Sequence, residues 1–162
     1  MSRFYATPSL TFAESFDKAT KNIFKCEGRS RRSEFWWTMG AVYLTNMFLT
    51  PFVGSILGLL TIPLKIRRLH DTGRSGWWWG ISAIIQVVII SCCVFEFLKV
   101  FFFDGSGSPS DRNVLYFILK YALLWGAVLF YKMILLVFYC LDSDPGTNKY
   151  GESPKYVVEG EK

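Results

Sequence analysis

A chain of 162 residues holds one domain's worth of sequence, and its 51% apolar and 18% aromatic content is too rich for a disordered chain. The net charge of +5 is crowded into the first 34 residues, a short central stretch and the tail, with long runs almost free of charge between them. That partition argues against an evenly solvated globule and against a nucleic-acid partner; it reads as membrane topology with attraction to anionic lipid.

Cys26, Cys92, Cys93 and Cys140 have no CxxC spacing, and three of them lie in apolar runs where cysteine acts as a small hydrophobe. Neither a disulfide framework, a metal site nor a cofactor is expected. No cleavable signal peptide is expected either, because mixed charge precedes the first apolar run.

Residues 1–8 read as irregular and end at Pro8. Thr11 and Glu14 then have the spacing of a capping box. Phe12, Phe16, Ala19, Ile23 and Phe24 follow at helical period, Lys18, Lys21 and Lys25 share the remaining surface, and Gly28 is a natural stop. The pattern predicts an amphipathic helix in the membrane interface, the alternative being a soluble helix packed on a partner.

Residues 28–37 run from basic through aromatic to apolar, as at a cytoplasmic membrane boundary. The 31 residues of 36–66 would form a straight helix about 46 Å long, against a hydrocarbon core of about 30 Å. They are too long for one span and short for two. Pro51, Gly54, Gly58 and Pro63 supply breaks. A hairpin turning near Thr50 and Pro51 leaves fourteen of the eighteen Lys and Arg on one side, whereas a single span divides them almost evenly. The positive-inside rule selects the hairpin, as two tilted short spans or a re-entrant pair.

Residues 77–103 are long enough to span, with Trp77, Trp78 and Trp79 at one end and Glu96 and Lys99 near the other. Residues 104–111 read as a flexible external loop, 114–141 as the returning span, and 142–162 as a polar tail rich in turn formers. The expected fold is all-α. It is a polytopic membrane helical bundle, with a short N-terminal hairpin and two full transmembrane helices, preceded by an amphipathic interfacial helix. Residues 1–34 are the cytoplasmic and interfacial segment, 35–141 the transmembrane domain with a cytoplasmic turn at 65–76, and 142–162 the cytoplasmic tail.

Three blocks carry a resemblance: Gly28-Arg-Ser-Arg-Arg-Ser-Glu-Phe-Trp36, Arg67-Arg-Leu-His-Asp-Thr-Gly-Arg-Ser-Gly-Trp-Trp78 and Gly146-Thr-Asn-Lys-Tyr-Gly151. In type and order they resemble the signatures of the small bacterial inner-membrane proteins grouped as domain-of-unknown-function family 805 (YhaH-like). The resemblance covers roughly residues 12–154. It implies a four-helix inner-membrane protein with both termini in the cytoplasm, and it implies no known activity. Here the first hairpin is shorter than the family pattern. The loop and helix before the last block are longer, with added charge at Glu96, Lys99 and Lys120.

In this topology the three blocks share the cytoplasmic face. They gather Arg29, Arg31, Arg32, Arg67, Arg68 and Arg74 with Glu34, His70, Asp71, Asn148 and Tyr150. Arginine forks suit phosphate oxygens, so anionic lipid head groups are candidate ligands. The plainer alternative is that these arginines fix orientation and pair with Glu34 and Asp71. Gly73 and Gly76 mark a particular turn, with Asp71 or Thr72 as a cap for the next helix. His70 beside Asp71 invites an acid–base reading, yet adjacent residues do not face each other on a helix, and no nucleophile motif, phosphate loop or second histidine accompanies them. No catalytic residue is assigned.

Inside the membrane segment, Asn46, Gln86 and Lys132 are polar. Lys132 is expected to face the bundle interior near Gln86 or Asn46, or else to bend toward the interface. Glu96 and Lys120 are placed to form an ion pair. The expected role is a non-enzymatic membrane scaffold or regulator whose basic motif face contacts anionic lipid or a partner protein, with homo-oligomerisation possible. The alternatives are a small oligomeric transporter or channel and, behind it, an interfacial enzyme using His70 and Asp71.

Overall fold

The structure is a computed structural model that describes residues 4–48, 51–99 and 111–158. Its elements in chain order are strand β1 (Phe4–Ala6), helices α1 (Phe12–Lys21), α2 (Arg32–Phe48), α3 (Pro51–Leu60), α4 (Ile62–Asp71), α5 (Trp77–Leu98) and α6 (Asp111–Cys140), and strand β2 (Tyr156–Val158). They form two compact units, residues 1–78 with 137–162, and residues 79–136. Among the described residues the fold is all-α but for one small sheet, and α5 and α6 are long and apolar enough to cross a membrane.

In the first unit, α1 opens on the expected capping box: Thr11 N–H donates to Glu14 Oε2 at 2.9 Å, and Glu14 N–H to Thr11 Oγ1 at 3.4 Å. The helix ends at Asn22 rather than running on to Gly28. It packs on α2 through its small residues, Ser15 and Ala19, and leaves Phe12, Phe16 and Phe24 exposed. Phe12 stacks on Phe16 and meets the edge of Trp37, itself half exposed. The aromatic stripe is therefore an outer rim.

Helices α2 and α3 pack against each other. Asn46 on α2 lies so close to Gly54 on α3 that any Cβ there would sit 1.3 Å from Asn46 Oδ1. Only glycine permits that approach. Nearer the other end of α2, Thr38 and Val42 share a cavity wall with Leu57, Thr61 and Leu64, so the register is that of an antiparallel hairpin. Thr50, half of the expected turn, lies outside the described residues. Thr61 interrupts the returning arm one residue before α4, which carries Pro63 in its first turn, where a proline costs no hydrogen bond.

Residues 1–8 are not wholly irregular. β1 pairs antiparallel with β2, Phe4 opposite Val158 and Ala6 opposite Tyr156, and Thr7 N–H continues the ladder to Lys155 O at 2.8 Å. Three-residue strands leave too short a pattern for periodicity to reveal.

In the second unit, the buried residues Ile89, Tyr121 and Val128 pack with Cys93, Phe117 and Leu124. Positions 117, 121, 124 and 128 lie on one helical stripe of α6. Only 11% of the apolar window of α5 and 17% of that of α6 is buried, so most of both helices turns outward, as lipid requires. Glu96 and Lys120 form the expected ion pair. The external loop expected at 104–111 lies outside the described residues but for Asp111, the first residue of α6.

Candidate functional site: an ionic clamp beneath the motif face

The C-terminal turn of α4 aims Arg68 and Asp71 the same way, three residues apart on one face. The Asp71 carboxylate is the centre of the site. Arg29 Nε donates to its Oδ1 at 3.0 Å, while Arg68 Nη1 and Ser143 Oγ both donate to Oδ2. Asp71 and Arg68 are fully buried and Arg29 nearly so.

Two arginines against one carboxylate leave a positive excess, and backbone carbonyls absorb it. Arg68 donates to Ser30 O at 3.3 Å, to Tyr139 O at 3.2 Å and to Leu141 O. Tyr139 lies in the last turn of α6 and Leu141 directly follows it, where carbonyls lack helical partners and carry the negative end of the dipole. Arg29 donates to Asp144 O at 2.6 Å, Gly146 O at 2.7 Å, Asp71 O at 3.1 Å and Gly151 O at 3.3 Å. The first and second blocks thereby grip the tail. Burial pushes the Asp71 carboxyl up, against the pull of Ser143, Arg68 and Arg29. Burial also draws the Arg68 guanidinium down against the pull of Asp71.

His70 points elsewhere. Its Nδ1 lies 3.2 Å from Gly28 O, which can only accept, so that nitrogen carries the proton. The ring stacks on Tyr150 at 3.7 Å and 4°, and Asn148 Nδ2 donates to His70 O at 3.0 Å. Burial lowers the affinity of His70 for a second proton, outweighing the contact with Gly28. His70 and Asp71 thus serve different partners and do not form an acid–base pair.

The expected convergence is partial. Arg29, Arg68, His70, Asp71, Asn148 and Tyr150 meet; Arg67 does not join them. One residue off the Arg68 face, it turns toward Glu34 at 3.2 Å, with Lys18 3.8 Å from the same carboxylate. Arg31 holds Thr7 through Oγ1 at 3.1 Å and O at 3.3 Å. Arg74 lies over the Phe138 ring at 4.1 Å. Arg32 is exposed. Arg29, Arg31, Arg67 and Arg68 are all under a tenth exposed, so they do not form the open basic face read from sequence. Their charges are spent on internal carboxylates, hydroxyls and carbonyls. Ser143 escaped notice because nothing in its surroundings marks it as a partner for Asp71, and backbone acceptors have no residue signature at all.

Three other expectations are corrected. Neither Asp71 nor Thr72 caps α5: Ser75 Oγ accepts from Trp77 N–H at 3.3 Å, while Thr72 closes the end of α4 by donating to Leu69 O. Lys132 is exposed, flanking the stripe by which α6 buries Val128 and Leu135, rather than facing inward. Gln86 donates to Ser82 O and Oγ, and Asn46 to Val42 O, each on its own helix. Both amides therefore donate within their own helices.

The family model described as a protein of unknown function, DUF805, matches residues 45–152. The chain is 26% identical over 150 residues to inner membrane protein YhaI of Escherichia coli strain K12, covering 84% of this chain and 91% of that protein. It is 24% identical over 160 residues to inner membrane protein YhaH of the same strain, covering 85% and 93%. No solved structure matches. With the family match extending from the end of α2 through the third block, and with two helices fit to span a bilayer, the chain belongs to the DUF805 family of membrane proteins.

Proposed function

We propose that this protein is a non-enzymatic scaffold of the bacterial inner membrane, in which the motif residues lock the architecture and the α1 rim contacts anionic lipid. The observation that carries the reading is the placing of exposed Phe12, Phe16 and Phe24 with exposed Lys21 and Lys25 on α1 and the turn that follows it, beside the exposed Trp37 of α2. Aromatic side chains at the headgroup level and lysines reaching anionic phosphates are the two forces that hold an interfacial helix. Antiparallel pairing of β1 with β2 supports placing both termini on one side, and the excess of Lys and Arg in the flanking segments supports the cytoplasmic side. Because the buried arginines face internal groups, lipid attraction rests on Lys21, Lys25 and Arg32.

Cys26 follows α1 and is exposed, which makes it a reporter. With the other cysteines replaced by alanine, an environment-sensitive dye on Cys26 is read in nanodiscs of phosphatidylcholine with and without phosphatidylglycerol. A blue shift and quencher protection that grow with phosphatidylglycerol, and fall in Lys21→Glu/Lys25→Glu, are expected. A signal indifferent to lipid charge removes the proposal.

A further inference from the structure

On its inner side, α1 covers a cavity of about 160 Å³ whose apolar wall is built from Ala19, Ile23, Val42, Leu57 and Leu64. Three polar residues in that lining bond locally: Thr20 to Phe16 O, Asn22 to Lys18 O and Thr61 to Gly58 O. Two others do not. Arg67 Nε and Nη2 and Thr38 Oγ1 have no hydrogen-bond partner, although Arg67 is 4% exposed and Thr38 7%. Glu34 meets Arg67 as a charge at 3.2 Å, yet both its oxygens also lack a hydrogen bond. Lys18 stands 3.8 Å from the same carboxylate. Of these three charged groups Arg67 lines the cavity, with Nη2 toward Glu34, while Glu34 and Lys18 stand behind it; two cations and one anion leave a single positive charge there.

Buried donors with no acceptor are costly, and a site that keeps them is completed by a ligand that accepts. The Nε–Nη2 edge of an arginine is a fork matched to two oxygens of one oxyanion, and a threonine hydroxyl adds a third donor. One positive charge calls for a monoanion. The cavity is smaller than the roughly 300 Å³ at which small-molecule pockets begin, which suits the end of a single chain. We infer that this cavity binds the carboxylate end of a long-chain fatty acid. Arg67 and Thr38 donate to the carboxylate, and the first methylenes lie against Ile23, Val42 and Leu57. The site is independent of the lipid contact proposed for the outer rim of α1, and the detergent experiment below contains no bilayer, so either can fail alone.

Full-length protein in dodecyl maltoside is titrated with palmitate labelled with carbon-13 at its carboxyl and followed by nuclear magnetic resonance. One saturable palmitate per chain, with a carboxyl resonance distinct from that in micelles, is expected. Thr38→Val preserves shape and removes the donor; Val42→Trp fills the cavity from its apolar side. Each is expected to weaken binding at least tenfold, with helical circular dichroism unchanged. Arg67→Lys, which keeps the charge and loses the fork, is expected to weaken it similarly; should it fail to fold, the other two variants still decide. Non-saturable uptake, equal binding by Thr38→Val and Val42→Trp, or displacement by hexadecanol as effective as by palmitate overturns the inference. Saturable binding of lysophosphatidic acid in place of palmitate overturns the carboxylate assignment.

Discussion

Arg29 Nε donates to Asp71 Oδ1 at 3.0 Å across 42 positions of sequence, with both side chains buried. The same guanidinium bonds the carbonyls of Asp144, Gly146 and Gly151. One side chain thus ties the segment before α2 to the end of α4 and to the tail. A neutral residue of the same size would take this donor from all three carbonyls, leaving Gly151 O with Asn148 N–H at 3.0 Å.

Removing the charge at the centre should be severe. Asp71→Asn leaves Arg29 and Arg68 buried without a counter-ion, a change worth about 3–5 kcal/mol. Thermal unfolding in mild detergent is expected to show a large fall in Tm. A Tm within about a degree of the wild type would contradict the clamp, because a loss that size shifts a chain this long by several degrees.

Losing the grip on the tail should open it locally before the whole chain unfolds. In Arg29→Met the carbonyls of the tail lose their shared donor. Trypsin cleavage after Lys149 or Lys155 is then expected to accelerate at least tenfold, since proteolysis follows the population of the opened form. Equal cleavage rates would mean that the β1–β2 pairing holds the tail without Arg29.

Two glycines should respond oppositely to alanine. Gly73 has φ +71°, and its Cβ would stand 3.0 Å from Asp144 Oδ2. Gly73→Ala is expected to cost about 1–2 kcal/mol from the left-handed conformation alone. Gly40 sits inside α2 with nothing within 4 Å of an added Cβ. Gly40→Ala is expected to gain about 0.5–1 kcal/mol through helix propensity. Chemical denaturation of both variants in one detergent checks the pair.

Acid should weaken the contact between the second and third blocks. Burial depresses the His70 pKa below its ordinary value of 6.5, so the folded chain binds fewer protons there than the unfolded one. Its contribution to stability is complete above about pH 6.5 and declines as pH falls toward the folded pKa. Lys149 opposes the added charge as well. Asp71, whose pKa burial raises, acts with the opposite sign. The test is therefore the difference between wild type and His70→Phe, which keeps a ring on Tyr150 and cannot titrate. That difference in Tm is expected to shrink or reverse between pH 7.5 and pH 5.5; a constant difference would show that His70 binds protons equally in the folded and unfolded chain, so that burial does not lower its pKa.

The sequence by itself determined the class of protein, because bilayer thickness and the exclusion of charge from oil act on long one-dimensional patterns. The long runs of α5 and α6 were legible for that reason, and the capping box at Thr11 and Glu14 and the proline that opens α3 from local spacing and residue type. It also brought the three blocks to notice as one constellation. The tertiary structure alone decided what their arginines do. A guanidinium looks the same in a sequence whether it faces lipid phosphate or is buried on a carboxylate, and Arg67 and Arg68, neighbours in the chain, part to Glu34 and Asp71 because a helix turns about 100° per residue. Backbone carbonyls as partners, the role of Ser143 and the outward turn of Lys132 depend on contacts across many residues, and no local pattern encodes them.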